Sequence, residues 1–135
     1  MIAMFFGCFG LKNLSLPDET EGHYFGTYAS NLSAFLCGCQ SLASLNLQGD
    51  FGKDALYMDS MFESCLNLNS IEINENFGSK AVNTSSMFAS CINIKQLNFG
   101  PNFGSEIIDM SNMFSYCQKL NNINFGENSK FGIRS

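Results

Sequence analysis

Charge is scarce in this sequence. Asp, Glu, Lys and Arg make up 14% of its 135 residues, against about a quarter in an average globular chain. Asn, Ser and Gly take their place, so the surface must be built largely of amides and hydroxyls. Lys and Arg never stand side by side and the net charge is −5. That removes the cationic track a phosphate backbone needs, and with it nucleic acid as a partner. No apolar run approaches the roughly 18 residues of a membrane span. There is one histidine, His23, and neither a Gly-rich phosphate loop nor a nucleophile elbow. The convergent polar groups of an enzyme are missing, so no catalytic residue, cofactor or metal is expected.

The opening MIAMFFGCFG is apolar as far as Cys8 but has no basic residue, and seven residues precede the cysteine. A signal peptide needs more of both, so none is expected in this chain. Met4, Phe5 and Cys8 belong to a different pattern.

That pattern is a repeat. Met87-Phe88 recurs as Met61-Phe62 and Met113-Phe114, a step of 26 residues each way, and Cys91 recurs as Cys65, Cys117 and Cys39. Apolar residues follow each cysteine at fixed offsets: Leu42, Leu45 and Leu47, then Leu68, Ile71 and Ile73, then Ile94, Leu97 and Phe99. A Phe-Gly pair closes the unit at Phe51-Gly52, Phe77-Gly78 and Phe103-Gly104. A period between 20 and 50 residues marks a stacked array. With 45% apolar content, residues 1–135 are expected to form one repeat domain of about four and a half units.

Within a unit, Leu45 and Leu47 point inward at period two while Asn46 points out, which predicts a short strand. Strands of successive units can pair in parallel only across a crossover, and the rest of the unit supplies it. Its last part, SNMFSYC in the final complete copy, places Phe114 and Cys117 on one face of a short helical turn. Asp59, Ser85 and Ser111 stand before that turn as N-caps. The expected architecture is α/β: a solenoid with one parallel sheet, one short strand and one short helical turn per 26-residue repeat.

Two irregularities stand out. Cys8 to Cys39 is 31 residues, and the five extra fall near 17–24, in an acidic stretch with Asp18, Glu19, Glu21 and His23. Such a loop is ordinarily solvated. Phe131-Gly132 comes two residues late, so the last turn is expected to be irregular. No capping unit is evident at either end, and exposed end coils favour self-association.

Five of the six cysteines share one repeat position, and Cys37 is the exception. A column of five cannot pair completely, so buried free thiols are expected. Asn13-Leu-Ser, Asn31-Leu-Ser and Asn83-Thr-Ser match the N-glycosylation pattern, which chance supplies readily in so Asn-rich a chain.

The motif MFxxCxxLxxLxF, with its lead-in Met110-Ser-Asn-Met113-Phe114, resembles the 26-residue repeat of BspA-like leucine-rich-repeat surface proteins of bacteria and some protists. The resemblance covers nearly the whole chain. It departs at Ala55 and Ala81, where Ile107 gives the usual larger aliphatic, and at Thr84, which stands where Met58 and Met110 do. It implies a leucine-rich-repeat fold, a cell-surface or extracellular setting and adhesion to host or partner proteins, with no catalytic residues.

The candidate binding surface is the outer strand face. Alternation places Ser44, Asn46 and Gln48 outward, then Ser70, Glu72 and Asn74, then Gln96 and Asn98, then Asn122 and Asn124, with Asn13 and Ser15 leading the stack. Amides donate and accept, so this face suits a protein loop or a glycan. Two functions fit: a protein-binding module from a surface adhesin, or a structural spacer whose outward groups only ladder with their copies.

Overall fold

Five short strands form where period-two alternation meets β-branched and leucine residues. They are β1 (Asn13–Ser15), β2 (Ser44–Leu47), β3 (Ser70–Ile73), β4 (Gln96–Asn98) and β5 (Asn122–Asn124). The structure is a computed structural model, and residues 1–16 and 25–132 are described. The acidic insertion, with Asp18, Glu19, Glu21 and His23, therefore lies outside the described residues.

All pairing between strands is parallel, and register follows the repeat. Leu14 sits beside Leu45 and Leu45 beside Ile71, while Leu97 sits beside Ile123. The single sheet expected is two, β1-β2-β3 and β4-β5. β3 and β4 are in contact but unpaired. The two units leave their strands differently. After β3, Asn74 turns into the core, whereas its counterpart Gly100 packs so closely on the Glu75 carbonyl that a Cβ would not fit. The ladder lapses at that step.

A second ladder corrects the expected helical turns: among the described residues there is no helix. The Met-Phe-x-x-Cys segment is a ribbon of overlapping turns. In one unit the amides of Met61, Glu63 and Cys65 bond back to the carbonyls of Met58, Ser60 and Phe62. The alternate amides, of Ser60, Phe62 and Ser64, reach the carbonyls of Ser85, Met87 and Ala89 in the next coil. So short a helix is marginal by itself, while the ribbon gains a bonded neighbour along the stack. The ribbon requires the left-handed region at two positions per coil. Ser60 and Ser86 occupy one (φ 53° and 55°), and Ser64 and Ser90 the other (φ 60° and 62°), with Gly7 and Gly38 at the latter position in the first two coils.

The expected caps also shift. Asn83 and Asp109 accept the amides of Ser85 and Ser111 at 2.9 Å, so the capping residue stands two places earlier than expected. Asp59 instead accepts the Ser33 hydroxyl at 2.7 Å across the coil boundary. A third ladder of single bridges joins Asn31, Tyr57, Asn83 and Asp109.

The core lies between these ladders as columns of like residues. Phe62, Phe88 and Phe114 stack at 5.0 and 6.0 Å between centroids. Phe25, Phe51, Phe77, Phe103 and Phe131 make a second column at 5.9–6.4 Å. Phe131 joins it despite its late position in sequence. Ala55, Ala81 and Thr84 are fully buried, and the Thr84 hydroxyl meets Met113 Sδ at 3.5 Å.

Candidate functional site

The strands present their outward side chains to one face, and the structure sorts the ten candidates. Ser70, Glu72, Gln96, Asn98, Asn122 and Asn124 are exposed, whereas Ser44, Asn46 and Gln48 are half-buried. Asn74 does not belong to the face. It is 8% exposed, and its Nδ2 donates to the carbonyls of Leu47 and Phe51 at 2.9 and 3.0 Å. Its Oδ1 accepts the Asn76 amide at 3.0 Å. β3 ends at Ile73, so alternation no longer governs the next residue, and a side chain with donors and an acceptor satisfies the turn from inside.

Over β1–β3 the face is hollowed into an open groove of about 390 Å³. Leu14 and Leu45 line it with Asn13, Ser15, Ser44, Asn46, Ser70 and Glu72. Leu14 and Leu45 send their side chains into the core, so the groove's floor is the strands themselves, flanked by hydroxyls and amides with one carboxylate at the margin. Gln96, Asn98, Asn122 and Asn124 lie on the other sheet, outside the groove. Asn13 and Ser15, named by alternation only as leading the stack, prove to be part of its wall.

Some outward groups bond one another. Ser44 Oγ donates to Asn13 Oδ1 at 2.6 Å, and Asn46 Oδ1 accepts the Gln48 amide at 3.1 Å. The Asn46 amide nitrogen, the Ser70 hydroxyl and the Glu72 carboxylate have no such bond among the described residues, so a ligand would find both donors and acceptors.

A second, shallower hollow of about 320 Å³ was not legible in the sequence. Lys53, Asp54, Asn76, Ser79 and Lys80 line it. The Lys80 ammonium pairs with the Asp54 carboxylate, holding it below the usual carboxylate range. These residues are laddered by the 26-residue step, with Lys80 one unit beyond Asp54 and the Ser79 hydroxyl on the Lys53 carbonyl at 3.2 Å.

The thiols form a column of hydrogen bonds. Cys39, Cys65, Cys91 and Cys117 each donate to a carbonyl of the preceding coil (Phe5, Leu36, Phe62 and Phe88) at 3.0–3.2 Å. All six cysteines are free. Cys39, Cys65 and Cys91 are buried; Cys117, expected to be buried, is half-exposed because no coil covers it among the described residues. Burial, then the neighbouring Cys39, pushes the Cys65 thiol up to about 12, and burial raises Cys91 further. Since the thiolate is the reactive form, burial holds these thiols in the protonated form that packs in the core. No cluster of His, Cys, Asp or Glu suited to a metal occurs among the described residues.

No protein-family profile matches the sequence, and no curated protein matches it. Among solved structures, the chain is similar to a leucine rich cell surface protein from Faecalibacterium prausnitzii A2-165. The TM-score is 0.52 at 18% identity, over 84% of this chain and 32% of the other. The likeness is one of fold: parallel strands repeated along the chain in the manner of a leucine-rich-repeat protein. The chain spans about a third of that protein's length.

Proposed function

We propose that the chain is a non-enzymatic leucine-rich-repeat solenoid of a cell-surface protein, and that it binds partner proteins through its outer strand face. The groove over β1–β3 carries the reading, because it sets unbonded amide, hydroxyl and carboxylate groups together on one face of the sheet. The likeness to a cell surface protein and the 26-residue motif of BspA-like repeats support the setting and an adhesive role. A host or partner protein is the favoured ligand. Glycans offer similar hydrogen bonding but find no exposed aromatic ring among the groove's residues.

A binding assay of the folded chain against extracellular-matrix proteins and a glycan panel tests the proposal. Saturable binding that a groove substitution abolishes supports it; no binding to any surface component overturns it. The Ser44–Asn13 bond favours one other reading, a spacer whose outward groups satisfy each other. That reading predicts a folded chain with no ligand.

A further inference from the structure

Two rows of outward side chains cross the strand face. Register sets Asn13, Ser44 and Ser70 side by side in one row, and Ser15, Asn46 and Glu72 in the other. On the second sheet the same repeat positions hold Gln96 and Asn122, and Asn98 and Asn124. Every member of both rows is neutral except Glu72. The other coils fill its position with serine or asparagine, so the fold itself does not call for a carboxylate there. A side chain that departs from its repeat without a packing reason points to a contact outside the chain.

Nothing on the face compensates this charge. Among the described residues the ion pairs are Lys53–Asp50 and Lys80–Asp54, and no hydrogen bond reaches the Glu72 carboxylate. No Lys or Arg lines the groove. Two further acceptors stand beside Glu72. Ser70, on the same side of β3, is exposed with its hydroxyl unbonded. Asn46, its partner on β2, gives one Oδ1 lone pair to the Gln48 amide and keeps the other. Both strands belong to inner coils, and alternation alone turns these groups to solvent.

We propose that the groove takes the guanidinium of an arginine presented by a loop of a partner protein, with Glu72 as its anchor. This rests on the groove being the binding surface. A guanidinium is planar, and its fork of N–H groups meets both oxygens of one carboxylate in parallel. Its remaining donors face Ser70, about 7 Å along the strand, and Asn46, about 5 Å across the sheet. Those spacings match a guanidinium together with its hydrogen bonds. An ammonium has three donors and no fork, and leaves part of this acceptor set unused. The net charge of −5 also draws a cationic segment towards the chain before contact.

Two short peptides of serine and glycine test the inference, one with a central arginine and the other with citrulline, its neutral isostere. Each is titrated into the full chain while the backbone amide shifts of Asn46, Ser70 and Glu72 are followed by NMR. The arginine peptide should move these signals and bind about fivefold tighter than the citrulline peptide. The difference should shrink as salt rises from about 50 to 500 mM. Glu72→Gln, at an exposed position, should remain folded by circular dichroism and bind both peptides alike. Equal binding of the two peptides to the parent overturns the inference but leaves the groove as a binding surface for neutral segments. An arginine preference that survives Glu72→Gln also overturns it, because another carboxylate would then be the anchor. Silence of the three amides with both peptides overturns the inference and counts against the groove itself.

Discussion

Gly78 and Phe103 meet across a coil boundary so closely that a Cβ on Gly78 would lie 2.7 Å from Cδ2 and Cε2 of the Phe103 ring. Gly26 with Phe51 and Gly52 with Phe77 repeat the contact at 2.6 and 2.9 Å. The Phe-Gly pair is therefore two halves of adjoining contacts: each ring lies on the glycine of the coil before.

Gly78→Ala is consequently expected to cost about 2–4 kcal/mol, combining an overpacked ring with φ of 66°. Phe103 is held between Phe77 and Phe131 and has little room to yield. Gly10→Ala, which meets nothing within 4 Å, should change stability by less than about 0.5 kcal/mol. Urea denaturation of both variants checks the pair; equal midpoints would mean the ring does not sit there.

Phe88→Ala should cost about 3–5 kcal/mol, because the ring is fully buried between Phe62 and Phe114. Neighbouring coils contact only each other, so hydrogen exchange should accelerate on both sides of Phe88. A loss under about 1 kcal/mol would contradict its burial.

Asn74→Ala removes both donors to the Leu47 and Phe51 carbonyls and should cost about 2 kcal/mol. Asn98→Ala, on an exposed strand position, should be nearly neutral. Chemical denaturation would expose an error here if the two costs came out alike.

The buried thiols give stability a pH dependence in the alkaline range. Cys65 titrates near 12 when folded and near 9 when unfolded, so above pH 9 the unfolded chain releases a proton that the folded chain keeps. Its contribution is complete below pH 9 and is lost as pH rises towards 12. The loss is on the order of 1 kcal/mol per pH unit. Cys91 adds to it in the same direction. Denaturation midpoints between pH 8 and 11 measure the slope, and Cys65→Ala should flatten it. A slope unchanged by that substitution would place the effect elsewhere.

Binding through the groove predicts a contrast between two exposed strand positions. Glu72→Arg reverses the groove's one carboxylate and should weaken a protein ligand by about 2 kcal/mol or more if Glu72 lies near the centre of the contact. Asn98→Arg lies outside the groove and should bind as the parent does. Loss with Asn98→Arg alone would move the site to the β4-β5 sheet.

The sequence by itself determined the period, the strand positions, the inward leucine and phenylalanine columns and the column of thiols. Each depends on one residue type recurring at one offset, and stacking identical units places identical residues together. The outward alternation of Ser70, Glu72, Gln96 and Asn98 was legible for the same reason. Tertiary structure alone decided the rest. Phe114 and Cys117 sit at a helical spacing, yet Ser60, Phe62 and Ser64 direct their amides to the next coil, a choice that exists only once that coil is in place. The same holds for Asn74, whose amide turns inward because the carbonyls of Leu47 and Phe51 await it there. It also holds for the groove, which belongs to three strands together and to no single repeat.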